Sequence, residues 1–190
     1  MASVAVDSNP ADRDRAWATA VLLHPHPDYG GNRFNIVVEA LYRALPPAGV
    51  SALRFDFSSS EVGVAAGDVV EVVGTLASIP VVLVGYSFGA EVATTVADER
   101  VAGWFLIAPP LAGGSEVVRA IAGDPRPKAI AVPEHDQFSP PGRTRHLTSS
   151  WTNTTVTDVP GADHFLAGRT GVVADQVVSW LRATFAAEQM

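Results

Sequence analysis

Short apolar segments that alternate with helical segments place the tightest limit on how this chain folds. Six segments have the apolar and β-branched character of strands: 18–23, 50–55, 81–86, 103–108, 128–133 and 153–159. Most of them are mainly apolar, which is typical of strands covered on both faces. Because strands and helices alternate, the pattern predicts an α/β domain with a mostly parallel sheet of about six or seven strands flanked by helices.

Three further segments have the period of a helix with one apolar face. The first ends before a pair of prolines and the second before a single proline, as helices commonly do. The residues of the three predicted buried faces are Phe34, Val37, Val38, Leu41 and Leu45; Val69, Val70, Val73, Leu76 and Ala77; and Val173, Val177, Leu181 and Phe185. We expect the last helix to close one side of the sheet.

No internal repeat or linker divides the 190 residues, and a hydrophobic content of 47% is enough to fill one sizeable core. We interpret 1–15 as a polar N-terminal segment and 16–190 as a single domain. The loops at 58–67 and 123–127 are the candidate mobile segments. Neither is long enough to form a lid domain, so we predict an open site.

The pentapeptide 85–89 reads G-Y-S-F-G and directly follows an apolar strand. A run compatible with a helix comes after it, at 90–97. Strand, motif and helix together match the sharp turn that projects a serine hydroxyl above a sheet. The flanking glycines suit this turn because the serine backbone is strained and leaves no room for side chains beside it. We predict that Ser87 is a nucleophile; a helix N-cap is the alternative role for such a serine.

A histidine and a carboxylate occupy positions that would complete a catalytic triad with Ser87. Of the five histidines, only His164 lies between the last strand and the last helix. Glu134 and Asp136 both follow the strand 128–133, at the carboxyl edge where ligand chemistry collects in open α/β sheets. We select Asp136 as the acid and keep Glu134 as the second choice, and the chain order Ser, Asp, His fits this kind of triad. The weaker candidates for the acid are Asp56, Asp124 and Asp163.

The chemistry explains why these three residue types are needed together. A serine hydroxyl is a poor nucleophile at neutral pH, so a neutral imidazole must take its proton during attack and later return one to the leaving group. The carboxylate fixes the imidazole tautomer and stabilises the transient imidazolium. An ordinary histidine has a pKa of about 6.5, so a histidine base predicts a rate that declines as the pH falls through that region.

The loop after the first strand, 24–32, reads H-P-H-P-D-Y-G-G-N and is the predicted source of one oxyanion donor. The tetrahedral intermediate needs preorganised N–H groups, one of them expected from Phe88, the residue after the nucleophile. The two prolines of the loop have no N–H to donate. His26 is therefore the expected second donor, with Asp28 behind it.

These motifs occur in a recognisable combination: H-P-H-P-x-x-G-G, L-R-F-D-F, G-Y-S-F-G and G-A-D-H-F. With them, the chain resembles the small α/β-hydrolases of the dienelactone-hydrolase-like group, particularly their lidless members. The match spans roughly 21–185, and the combination is much more specific than any single motif. The resemblance implies the α/β-hydrolase fold with no lid domain, a serine triad at Ser87, Asp136 and His164, and no cofactor.

The sequence departs from that group in three ways. The segment 58–61 reads S-S-S-E where relatives usually have an Arg-Gly-rich segment, and P-E-H at 133–135 replaces the usual Gly-Asp pair before the acid. Dienelactone hydrolases proper use a cysteine nucleophile, and this chain has no cysteine. We therefore do not carry dienelactone over as the substrate.

Composition disfavours several partners. A net charge of −7 without a block of Lys or Arg argues against nucleic acid and anionic membranes. The segment 1–15 lacks the features of a secretory signal, and no apolar run approaches the roughly 20 residues of a membrane span. A metal site at His24 and His26 is a rival interpretation, but no third ligand cluster accompanies the pair. We expect a cytoplasmic monomer or homodimer that binds no metal and takes a small-molecule acyl substrate.

Aromatic residues are expected to border the substrate: Tyr29, Tyr86, Phe138 and Phe165. Such a lining suits a small apolar acyl or alcohol group. The leading hypothesis is therefore hydrolysis of a small carboxylic ester or thioester through an acyl-serine. Two alternatives stay open: transfer of the acyl group to another acceptor, as in an acyltransferase or perhydrolase, and a binding module with a vestigial triad.

Overall fold

The computed structural model describes residues 4–12, 16–76, 79–111 and 119–186. Within these residues, seven strands form one sheet in the order β1-β3-β2-β4-β5-β6-β7. The strands are β1 Val6–Asn9, β2 Ala18–Leu23, β3 Val50–Phe55, β4 Val81–Tyr86, β5 Val101–Ile107, β6 Lys128–Pro133 and β7 Thr154–Val159. The α-helices are α1 Ile36–Ala44, α2 Val62–Gly74, α3 Phe88–Thr95, α4 Pro141–Leu147 and α5 Thr170–Phe185.

The sheet is parallel except for its first strand. The strands β2 to β7 pair in parallel with their neighbours, whereas β1 pairs antiparallel with β3. All six predicted strands are present, and β2, β3, β4 and β6 have the predicted bounds. The strand β5 begins earlier than predicted, at Val101, and β7 begins at Thr154. The prediction of a mostly parallel α/β sheet is confirmed.

The strand β1 lies in the segment 1–15, where the sequence pattern predicts no strand. Its one large apolar side chain, Val6, is 38% exposed, so no hydrophobic periodicity marks it. Backbone pairing attaches β1 to β3, and the Asp7 carboxylate forms ion pairs with Arg33 and Arg54. An edge strand held by backbone bonds and charge leaves little hydrophobic signal in the sequence.

Helices cover both faces of the sheet. On one face, α1 and α5 pack their apolar sides against the strands, with Val37 and Val177 fully buried among them. On the other face, α2 and α3 do the same through Val69 and Val92. The sheet is therefore the middle layer of three, and its carboxyl edge is left for the loops that carry the candidate site.

Two of the predicted buried helix positions are wrong. Phe34 precedes α1 and is exposed, because its ring lies against the guanidinium groups of Arg33 and Arg54 instead of the core. Val70 is exposed because it lies on the outer side of α2. The predicted buried position Ala77 lies outside the described residues.

The helix α2 begins at Val62, so a helix occupies the second half of the segment that the sequence predicts as a loop at 58–67. Across the described ranges, the loops at the carboxyl edge include no separate lid domain. Among those same residues, no helix combines the length and the apolar character needed to cross a membrane.

Candidate active site

Ser87 lies in a sharp turn between β4 and α3, as the motif predicts. Its backbone has φ 52° and ψ −116°, a region that residues other than glycine rarely adopt, and its N–H donates to Ile107 O at 2.9 Å. A Cβ atom on Gly85 would lie 2.4 Å from Gly89 O, and one on Gly89 would lie 2.3 Å from Leu23 O. Only glycine fits at either position, which lets α3 start directly against the end of β2.

His164 reaches Ser87 from the loop between β7 and α5. Its Nε2 atom lies 3.0 Å from Ser87 Oγ, within hydrogen-bond distance. The residue is 7% exposed, and the Tyr86 hydroxyl donates to the His164 carbonyl at 2.9 Å. Burial raises the pKa of Tyr86, so this phenol stays protonated and donates.

Asp136 completes a continuous chain of hydrogen bonds. Its Oδ2 atom lies 2.9 Å from His164 Nδ1, and its Oδ1 accepts the N–H groups of Phe138 and Ser139 at 2.8 and 2.9 Å. Burial alone would raise the pKa of Asp136, but the hydrogen bonds from His164 and the two backbone groups outweigh it, so the pKa is lowered. The carboxylate is therefore ionised and accepts the hydrogen bond from Nδ1–H.

Glu134, the second choice for the acid, is placed differently. Its side chain is largely exposed, and its Oε2 atom accepts the N–H of Gly161 at 2.7 Å. Asp163 accepts the N–H of Phe165 within the histidine loop. Both carboxylates help to shape the loop around His164, whereas Asp136 alone among these three contacts the imidazole.

The two expected oxyanion donors lie on neighbouring segments, His26 in the loop after β2 and Phe88 in the first turn of α3. Phe88 is the first residue of α3, and its ring centroid lies 4.8 Å from that of His26. Within the described residues, neither of their N–H groups donates to a protein acceptor. Asp28, the fallback donor, gives its N–H to His26 Nδ1 at 3.3 Å, so it is committed within the loop.

The four expected substrate contacts divide into two groups. Tyr29 is 88% exposed, and Phe138 and Phe165 are more than half exposed. The Phe138 ring centroid lies 4.7 Å from that of His164, and the Phe165 ring centroid lies 5.8 Å from it. Tyr86 is 4% exposed and its hydroxyl donates to the His164 carbonyl, so it presents little surface to a substrate.

From the sequence, His24 has no predicted role except in the rival metal pair. In the structure its ring is buried, Nε2 accepts the N–H of Phe57 at 3.0 Å, and Nδ1 lies 2.6 Å from Pro25 O. Both nitrogens are thus occupied, which leaves neither free for a metal. The described residues contain no group of three metal-ligating side chains. The sequence feature that could have indicated this buried position is a histidine that directly follows a predicted strand and precedes Pro25.

The strand order and the two helix layers define the class of this chain: it has the α/β-hydrolase fold, and the sharp serine turn stands at its usual place in that fold. The sequence matches no protein-family model. It matches no curated protein either.

Solved structures match over nearly the whole chain. An alpha-beta serine hydrolase homologue from Coxiella burnetii is 26% identical, with a TM-score of 0.79 over 93% of this chain and 90% of that one. An α/β serine hydrolase without a lid from Xanthomonas campestris is 22% identical, with a TM-score of 0.80 over 95% and 88%. The esterase domain of a Rhodothermus marinus protein is 18% identical, with a TM-score of 0.74 over 93% and 91%.

Proposed function

We propose that this chain is a serine hydrolase that cleaves a small carboxylic ester or thioester through an acyl-serine intermediate. The observation that carries the proposal is the unbroken chain from Ser87 Oγ to His164 Nε2 at 3.0 Å, and from His164 Nδ1 to Asp136 Oδ2 at 2.9 Å. A nucleophile, a base and a group that orients the base are the parts that acyl transfer requires.

In the first half of the reaction, Ser87 Oγ attacks the carbonyl carbon while His164 Nε2 takes the hydroxyl proton. The Asp136 carboxylate holds the Nδ1 proton and stabilises the imidazolium. The N–H groups of His26 and Phe88 donate to the oxyanion of the tetrahedral intermediate. Collapse expels the alcohol or thiol, which receives the proton from His164, and leaves the acyl group on Ser87.

In the second half, water replaces the leaving group. His164 takes a proton from the water as its oxygen attacks the acyl-serine, and the same two N–H groups donate to the second oxyanion. When this intermediate collapses, the proton returns to Ser87 Oγ and the carboxylic acid departs. No redox group or external cofactor enters this cycle.

The exposed aromatic rings support a small, uncharged and apolar substrate. Phe138 and Phe165 both lie against the His164 ring, and Tyr29 packs on His26 at 4.8 Å between ring centroids. Apolar surface beside a catalytic group binds apolar parts of a ligand. We assign these three side chains to the acyl and alcohol groups of the substrate.

The likeness to known proteins supports the same reaction class. The structures from Coxiella burnetii and Xanthomonas campestris are described as serine hydrolases, and the one from Rhodothermus marinus as an esterase domain. Together with the H-P-H-P-x-x-G-G loop, this favours a place among the lidless, dienelactone-hydrolase-like serine hydrolases.

Burst kinetics with p-nitrophenyl acetate test the proposal. We expect a rapid release of p-nitrophenol equal to the concentration of protein, followed by slower turnover, because the acyl-serine forms before it is hydrolysed. Ser87→Ala should abolish the burst, and Ser149→Ala, at an exposed serine, should keep it. A burst that survives in Ser87→Ala, or a folded wild-type chain with no turnover of esters or thioesters, would contradict the proposal.

A further inference from the structure

His24 is the most deeply buried histidine of the described residues, and the catalytic cycle does not use it directly. It follows β2, is 1% exposed, and packs its ring 4.5 Å from that of Phe57. A buried polar ring must satisfy both of its nitrogens or pay a large desolvation penalty. The two partners of this ring lie on two different loops of the carboxyl edge, one before α1 and one after β3.

The partners fix the tautomer of His24. The Phe57 N–H can only donate, so Nε2, at 3.0 Å, must be the unprotonated acceptor. The proton is therefore on Nδ1, which donates to the Pro25 carbonyl at 2.6 Å. Burial lowers the pKa of His24 more than the Pro25 bond and the Asp56 charge raise it, which keeps the ring neutral as this arrangement requires.

The Pro25 carbonyl belongs to the same peptide unit as the His26 N–H. Peptide units are planar, and the described residues contain no cis bond, so this C=O and this N–H point in opposite directions. Fixing the carbonyl therefore fixes the direction of the N–H. Gly31 also packs closely against this carbonyl, since a Cβ atom at position 31 would lie 2.1 Å from Pro25 O.

We infer that His24 is a positioning residue for the oxyanion site: its Nδ1–H bond to Pro25 O turns the 25–26 peptide so that the His26 N–H faces the oxygen of the substrate carbonyl that Ser87 attacks. This inference rests on the proposed function. It explains why a buried imidazole lies near the proposed triad without belonging to it. It also assigns a role to the first histidine of the H-P-H-P loop.

Two variants separate the two hydrogen bonds of His24. In His24→Asn the side-chain amide replaces Nδ1 and can still donate to Pro25 O, whereas in His24→Gln it replaces Nε2 and reaches only the Phe57 N–H. Loss of one oxyanion donor lowers kcat about 10²–10³-fold, so a misdirected donor should lower kcat of His24→Gln about 10- to 100-fold. His24→Asn should stay within about threefold of wild type, because it keeps the bond that matters.

The accompanying readouts distinguish positioning from general damage. Both variants should keep KM on p-nitrophenyl acetate and the midpoint of the pH–rate profile, because substrate binding and the triad are untouched. Equal losses of kcat in the two variants, or a pH midpoint that moves with kcat, would overturn the inference. Thermal unfolding of each variant establishes that it is folded.

A measurement on the wild-type chain gives an independent test if either variant fails to fold. Nitrogen-15 NMR of the histidine rings should show His24 as the Nδ1-protonated neutral tautomer at pH 7, and the opposite tautomer would overturn the inference. An inactive wild-type chain would overturn the proposed function and this inference with it. An active wild-type chain with full kcat in His24→Gln would overturn this inference alone.

Discussion

In the proposed mechanism, Asp136 determines which nitrogen of His164 acts as the base. Its ionised Oδ2 accepts only, so the proton of the neutral ring stays on Nδ1 and Nε2 faces Ser87 with a free lone pair. The N–H groups of Phe138 and Ser139 hold the other oxygen, which prevents rotation of the carboxylate. One buried side chain thus fixes the tautomer and the ring orientation, and in the proposed mechanism its charge balances the imidazolium.

Replacing this carboxylate by an amide should remove that control. In Asp136→Asn the amide N–H₂ can face Nδ1, which favours the tautomer with its proton on Nε2, so we expect kcat to fall about 10⁴-fold. The assay is steady-state hydrolysis of p-nitrophenyl acetate at pH 8. Glu134→Gln is the matched control and should retain most activity, because Glu134 bonds Gly161 and not the histidine. A larger loss of kcat in Glu134→Gln than in Asp136→Asn would indicate that Glu134, and not Asp136, is the acid.

Between β4 and α3, the absence of side chains at two glycines determines whether the turn can form. The space beside Gly89 is filled by the carbonyl groups of Leu23 and His24, which are backbone and cannot move aside cheaply. By contrast, Gly67 lies inside α2, and a Cβ atom there would meet nothing within 4 Å. The same substitution should therefore have opposite effects at the two positions.

We expect Gly89→Ala to destabilise the fold by about 3 kcal/mol, because the methyl group overlaps fixed backbone. Any folded fraction should have lost most of its activity, since the serine turn must shift. Gly67→Ala should stabilise the fold by about 0.5–1 kcal/mol, because alanine favours the helix over glycine. Urea unfolding of both variants measures the difference. Equal stabilities would mean that the close approach of α3 to β2 is not required.

At the opposite edge of the sheet, Arg126 joins the segments that precede β5 and β6. Its guanidinium group donates to the carbonyl of Asp98 at 2.6 Å and forms an ion pair with the Asp124 carboxylate at 2.6 Å. Hydrogen bonds from Arg126 outweigh burial and lower the pKa of Asp124 to about 2. An unfolded aspartate has a pKa of about 3.9, so the ionised carboxylate stabilises the fold above about pH 4, and this contribution is lost as the pH falls toward 2.

Asp124→Asn should therefore lower the free energy of unfolding by about 1–2 kcal/mol at pH 7, where the charged hydrogen bonds are lost. At pH 2 the variant and the wild type should be nearly equal. Thermal or urea unfolding at the two pH values checks this. Asp158→Asn, in an exposed ion pair with Arg145, is the control and should cost no more than about 0.5 kcal/mol. A loss in Asp124→Asn that is the same at both pH values would contradict the assigned cause.

At the scale of the whole molecule, the sequence predicts those strands and helices whose side chains are buried in the core. The parallel strands β2, β3, β4 and β6 are mainly apolar, and their bounds could be predicted from the residues. The edge strand β1 is held by backbone bonds and by Asp7, and neither leaves a periodic signal. Phe34 fits a helical period but precedes the helix, because Asn35 is the N-cap of α1, and its ring lies at the surface against Arg33 and Arg54.

Some residues of the candidate site can likewise be predicted from the sequence, and others cannot. Chain order and strand ends suffice to select Ser87 and His164, because the fold brings the carboxyl ends of parallel strands together. The choice between Glu134 and Asp136 depends on which way each side chain leaves one short turn, and this is a property of the folded loop. The direction of Tyr86 and the bonds of His24 likewise depend on neighbours far away along the chain.

The most direct test of the account is covalent labelling by a fluorophosphonate, which reacts with activated serines without knowledge of the natural substrate. We expect one adduct per chain by intact mass, mapped to Ser87 by peptide sequencing, and lost in Ser87→Ala and in His164→Ala. Ser149→Ala, at an exposed serine, should label like the wild type. No adduct on a folded wild-type chain, or an adduct on a different serine, would contradict the assignment of Ser87 as a nucleophile activated by His164.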